Sequence, residues 1–88
     1  MKVSFSKNFE KQLTTVTNPH IRDAIRNIIQ KLIETSSLSV IPHIKKMKGD
    51  KGAYRIRIGD YRIGFYIKKT EIFISTVAHR KDIYKRFP

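Results

Sequence analysis

Residues 53–67 read Ala-Tyr-Arg-Ile-Arg-Ile-Gly-Asp-Tyr-Arg-Ile-Gly-Phe-Tyr-Ile, two alternating runs joined by Gly59-Asp60. A two-residue loop containing glycine between such runs is a β-hairpin signal, because glycine supplies the positive φ that the tight turn needs. The loop sets the register: Ile58 opposite Tyr61, Arg57 opposite Arg62, Ile56 opposite Ile63, Arg55 opposite Gly64 and Tyr54 opposite Phe65. Alternation then sorts the side chains. Tyr54, Ile56, Ile58, Tyr61, Ile63, Phe65 and Ile67 point to one face. Arg55, Arg57, Arg62, Gly64 and Tyr66 point to the other.

The second face is the informative one. Arg57 and Arg62 are like charges directly across the ladder, an arrangement that costs a sheet roughly 0.2–1 kcal/mol. Gly64 beside them weakens the strand and leaves the backbone open to close approach. Two readings follow: a solvated face whose arginines splay apart, or a preformed anion site in which three planar guanidinium forks grip phosphate oxygens.

Outward from the hairpin, the chain organises into a single domain spanning residues 1–88. Lys2–Phe5 is a short strand candidate. Ser6 can cap a helix running to about Val16, with Phe9, Leu13 and Val16 on one face. Asn18 caps a second helix with Pro19 at its first position, where the missing N–H is harmless. Ile21, Ala24, Ile25, Ile28, Ile29, Leu32 and Ile33 keep helical spacing along it and read as core. Residues 35–52 read as a connection. Strand candidates follow at about 53–58, 61–67 and 72–78, then a short helix or turn ends the chain. The expected class is α+β, ordered β-αα-βββ-α. An antiparallel three-strand meander joins the N-terminal strand, and the helical hairpin packs on one sheet face.

If Lys69-Thr70 turns the chain, strict alternation carries Phe73, Ser75, Val77 and His79 to the arginine side. Arg80 and Tyr84, four residues apart, would share one side of a helical turn. His79, Arg80 and Tyr84 are thus expected at the edge of the arginine surface.

Charge and composition narrow the function classes. Nineteen basic side chains stand against seven acidic ones, for a net charge of +12. Residues 1–44 carry a net +3 and residues 45–88 a net +9, so the cationic half is the one with the hairpin. Such a chain attracts polyanions. There is no cysteine, which removes disulfide and thiolate-metal chemistry and fits a reducing, cytoplasmic location. No apolar run is long enough to span a membrane, and the N-terminus lacks a signal-peptide core. His20, His43 and His79 are too scattered, and the carboxylates too dispersed, for a metal-dependent nuclease site.

The stretch KKMKGDKGAYRIRIGDYRIGFYI (45–67), followed by VAHRKDIYKRF (77–87), resembles the RelE/ParE superfamily of toxins from type II toxin–antitoxin pairs. The likeness is close over the C-terminal half, and the β-αα start agrees over most of the rest. It implies a compact α/β toxin that cleaves mRNA in the ribosomal A site, an endoribonuclease or mRNA interferase. In the ParE branch it would instead poison DNA gyrase without catalysis. A plain basic RNA-binding module is a third reading. By position in the family pattern, the catalytic set would be Arg55, Arg57, Arg62, His79, Arg80 and Tyr84. RNA and ribosome contacts are expected from Lys45, Lys46, Lys48, Lys51, Tyr66, Lys81, Lys85 and Arg86. Family members often carry lysine at the positions of Arg55 and Arg57, and Gly-His-Arg where this chain has Ala78-His79-Arg80. Arginine stays protonated and cannot act as a base, so the proton carriers would be His79 and Tyr84. The partners implied are an acidic antitoxin and mRNA on the small ribosomal subunit. No metal, cofactor or membrane partner is implied.

Overall fold

The computed structural model describes residues 1–88 as five strands and three α-helices. β1 (Lys2–Phe5) leads into α1 (Lys7–Leu13) and α2 (Pro19–Glu34). A single 3-10 turn at Leu38–Val40 precedes β2 (Ile44–Lys46), β3 (Ala53–Ile58), β4 (Tyr61–Lys68), β5 (Glu71–His79) and α3 (Ile83–Arg86). The sheet order is β1-β5-β4-β3-β2. β1 runs parallel to β5, and the remaining neighbours are antiparallel. No helix is long and apolar enough to cross a membrane.

The helix starts follow local chemistry. The Ser6 hydroxyl accepts the Phe9 N–H at 2.9 Å, and the Asn18 side-chain oxygen accepts the N–H groups of His20 and Ile21, with Pro19 at the first helical position. α1 stops at Leu13, earlier than its apolar spacing suggests. Residues 14–16 form hydrogen-bonded turns that still bury Val16.

Between the helices and the sheet lies a core of thirteen buried residues. Phe9, Val16, Ile25, Ile28 and Leu32 from the helical side meet Ile56, Ile58, Ile63, Phe65, Ile72, Ile74 and Val77 from the sheet. Ile33, at the end of the helical stripe, is nearly half exposed, so the stripe is wider than the surface the sheet covers.

The hairpin register is the one the loop dictates, residue for residue from Tyr54–Phe65 to Ile58–Tyr61. Gly59 has φ +56°. Two features of the sheet depart from the sequence reading. Residues 44–46, read as connection, form an edge strand on β3, with Lys45 opposite Arg55. Three residues are too short to announce themselves by alternation. The second departure lies in β5. Its pairing with β4 shifts by one residue between Gly64 and Phe65, leaving Ser75 as an extra residue. A bulge reverses the alternation beyond it. Phe73 stays opposite Tyr66 on the arginine face, but Val77 pairs with Ile63 and His79 with Tyr61, two of the core-facing positions of β4.

A candidate anion site on the open sheet face

The face away from α1 and α2 is partly covered by the chain's own tail. Met47, Ala53, Ala78, Ile83 and Phe87 form a second buried cluster, with Tyr66 packed against it. Gly64 explains how the tail lies so close. A Cβ there would stand 2.6 Å from the Phe87 ring, so only glycine leaves room. The close approach that Gly64 permits is therefore taken by the protein itself. Tyr66, expected as an exposed stacking surface, is half-buried beneath Phe87 with ring centroids 5.0 Å apart.

Beside this cluster, His43, Ile44, Lys45, Arg55, Arg57 and Arg62 line a cavity of about 290 Å³. Three adjacent strands supply the guanidiniums and Lys45, since Lys45 pairs with Arg55 and Arg57 with Arg62. The like charges are held by separate acceptors. Arg62 Nη1 donates to the carbonyls of Gly59 (2.8 Å) and Tyr61 (2.9 Å), and Arg57 Nη2 donates to His43 Nδ1 (3.0 Å). Arg55 Nε is buried with no acceptor. The arginines thus do splay, yet they share one cavity.

The electrostatics agree. Burial, then the charges of Arg55, Arg57 and Arg80, hold the Arg62 pKa below the ordinary arginine value, while Tyr84 pulls the other way. Arg80 and Tyr84 therefore act on the same guanidinium from the tail. The Arg80 N–H donates to the Asp60 carbonyl at 2.7 Å, and Arg80 Nε lies 3.9 Å from the Asp60 carboxylate. These contacts tie the tail to the hairpin loop. Tyr84 is 66% exposed, open to a ligand.

His79 is not with them. Beyond the bulge it stands against Tyr61, edge to face at 5.8 Å, in a groove shared with Gln12, Thr15, Val16, Asp82 and Arg86. Its Nδ1 accepts the Lys81 N–H. The expectation of His79 beside the arginines fails because strict alternation does not survive Ser75. A sequence signal existed: the buried positions Ile72, Ile74 and Val77 include an interval of three, which a period of two cannot produce. Of the other basic residues, Lys45 reaches the cavity and Arg86 lines the His79 groove. Lys46, Lys48, Lys51, Lys81 and Lys85 are exposed on the edge strand, its following loop and the tail. No group of three or more His, Asp or Glu side chains converges as a metal site would require. His43, which sequence spacing left without a role, is the histidine that does line the arginine cavity.

Comparison with known proteins bears on this arrangement. The profile of the ParE toxin family of type II toxin–antitoxin systems matches residues 3–84. Toxin RelE3 of Methanocaldococcus jannaschii is 45% identical over 89 residues, covering all of both chains.

The chain belongs to the RelE/ParE superfamily of type II toxins.

Other superfamily relatives extend the likeness. A chain of the RelB–RelE antitoxin–toxin complex from Methanococcus jannaschii superposes with a TM-score of 0.81 at 42% identity, over 96% of this chain and 98% of that one. A chain of the archaeal RelE–RelB complex from Pyrococcus horikoshii shares the fold at a TM-score of 0.74 and 20% identity, over 93% and 97% of the two chains. The family profile carries the ParE name and the M. jannaschii relatives carry the RelE name. Membership of the superfamily therefore leaves the choice of branch to the site.

Proposed function

We propose that this toxin is a RelE-type endoribonuclease that cleaves mRNA on the ribosome, with the arginine cavity holding the scissile phosphate. One observation carries the reading: Arg55, Arg57 and Arg62 line a single cavity in which the buried Arg55 Nε lacks an acceptor. A buried cationic donor without a partner is costly, and a phosphate oxygen would satisfy it.

RNA brings its own nucleophile. Loss of the 2′-OH proton to water lets that oxygen bond to the adjacent phosphorus, and the bond from phosphorus to the 5′-oxygen breaks. The departing oxygen takes a proton. The products are a 2′,3′-cyclic phosphate and a 5′-hydroxyl end. Charge builds on the phosphorane oxygens, where fixed guanidiniums stabilise it without reorganising. Arg80 adds a further cation from the tail. Tyr84, near enough for its charge to act on Arg62, is the proton carrier we assign, as donor to the leaving oxygen. His79 has no step in this scheme because it stands on the helix side of β5.

The partner proposed is a RelB-type antitoxin, as in the complexes of the relatives. The net charge of +12 favours an acidic segment, and the affinity should fall as salt rises.

The test is primer extension on mRNA translated in a reconstituted system. The wild-type chain should give cuts within translated codons, and Tyr84→Phe should lower the cleavage rate about a hundredfold. The ParE name of the matching profile favours a second reading, gyrase inhibition. Absent mRNA cleavage together with blocked supercoiling by purified gyrase would replace the first reading with the second.

A further inference from the structure

His43 directly precedes β2 and has φ +58°, a left-handed conformation unusual for a residue with a side chain. Its carbonyl accepts the Arg57 N–H at 3.1 Å, and its ring Nδ1 lies 3.0 Å from Arg57 Nη2. One residue thus holds both ends of Arg57. A guanidinium has five donors and no acceptor. The lone pair in the ring contact must therefore belong to Nδ1, which puts the imidazole proton on Nε2 and leaves the ring uncharged.

We propose that His43 is the positioning residue of the arginine cavity: a neutral imidazole that holds the Arg57 guanidinium in place while the cavity is empty and yields it to a phosphate oxygen when RNA enters. This rests on the reading of the cavity as a phosphate site. The chemistry of the acceptor is the reason. Three guanidiniums in one cavity repel, and each must be restrained. Arg62 is fixed by two backbone carbonyls, which do not move aside, whereas Arg57 is held by a side chain. A carboxylate in that position would form an ion pair and compete with the substrate's charge. An imidazole lone pair orients the guanidinium without cancelling it.

The arrangement is conditional on protonation. A proton on Nδ1 removes the lone pair and adds another cation to the site. The groups facing His43 are Lys45 of β2, Arg55 and Arg57 of β3 and Arg62 of β4 on one side, and Asn27 and Lys31 of α2 on the other. No carboxylate lines either cavity that His43 shares. A proton at Nδ1 would therefore release Arg57, with no carboxylate in either cavity to compensate.

Two measurements decide the matter. Long-range proton–nitrogen spectra of the histidine rings, on the free chain, should show His43 with its proton on Nε2. An RNA oligonucleotide made non-cleavable by a 2′-deoxy residue should perturb its Nδ1 as Arg57 leaves. Single-turnover cleavage then compares His43→Gly and His43→Asn, both of which accept positive φ without strain. Glycine removes the acceptor and should lower kcat/KM about tenfold, the loss of one charge-assisted hydrogen bond. Asparagine keeps an acceptor oxygen and should stay within about threefold of wild type. A proton on Nδ1 in the neutral protein, wild-type cleavage by His43→Gly, or equal defects in the two variants would overturn the assignment. If the wild-type chain cleaves no RNA, the nuclease reading fails. The ring tautomer and its response to the oligonucleotide still decide the role of His43.

Discussion

The two faces of one sheet obey different rules in this protein. On the helix side, every inward position of the central hairpin is apolar and thirteen buried residues close one continuous core. On the other side, five buried residues form a small cluster under the tail, and the rest of the face is given to three arginines that repel one another. The first face stabilises the fold. The second gives up stability to hold charge in a cavity. A small domain has a modest core and a thin margin, so whatever the second face costs must be carried by the first.

The contrast can be broken most severely from the helix side. Phe65 is fully buried in the main core, and Phe65→Ala should cost about 3–5 kcal/mol, enough to leave much of the chain unfolded in a urea titration. On the arginine face the loss should fall on activity instead. Arg62→Ala should slow cleavage by about 10²–10³-fold while leaving thermal stability unchanged or slightly raised, because it removes a cation from a repelling cluster. The sign follows from the lowered Arg62 pKa. Folding disfavours the charged form, so the penalty holds at every pH below the arginine range and is relieved only above it. A bound anion offers the accessible relief. Sulfate should raise the melting temperature more than chloride at matched ionic strength, and Arg62→Ala should shrink that difference.

Gly64→Val tests the link between the faces. Its Cβ would drive Phe87 off the sheet, at a cost of about 1–3 kcal/mol. Release of the tail carries Tyr84 and Arg80 away from Arg62, so cleavage should fall more than stability does. Limited trypsin digestion near Lys85 and Arg86 would report the release. The smallest effect belongs to His79→Ala, which should leave the cleavage rate within about twofold of wild type, since the ring sits against Tyr61 on the helix side. A large loss there would reverse the assignment of faces.

Much of this was legible in the chain. The caps at Ser6 and Asn18, the long second helix and the hairpin with its register follow from neighbours within four residues, where side-chain chemistry and backbone period leave little choice. The three arginines of the site were legible for the same reason: one glycine-containing loop fixes them across from each other. The likeness of residues 45–67 and 77–87 to a toxin family was equally a property of the string.

What only the tertiary structure decided involves segments brought together from afar. The extra residue at Ser75 turned His79 to the helix side. The tail found its seat over Gly64, which local sequence shows only as a gap. The three-residue edge strand, too short to carry a pattern of its own, brought His43 to Arg57 across fourteen positions of chain. Local periodicity sets where a side chain points within its own strand. Which side chains share a cavity depends on how strands align and where chain ends pack, and those are settled by the free energy of the assembled whole.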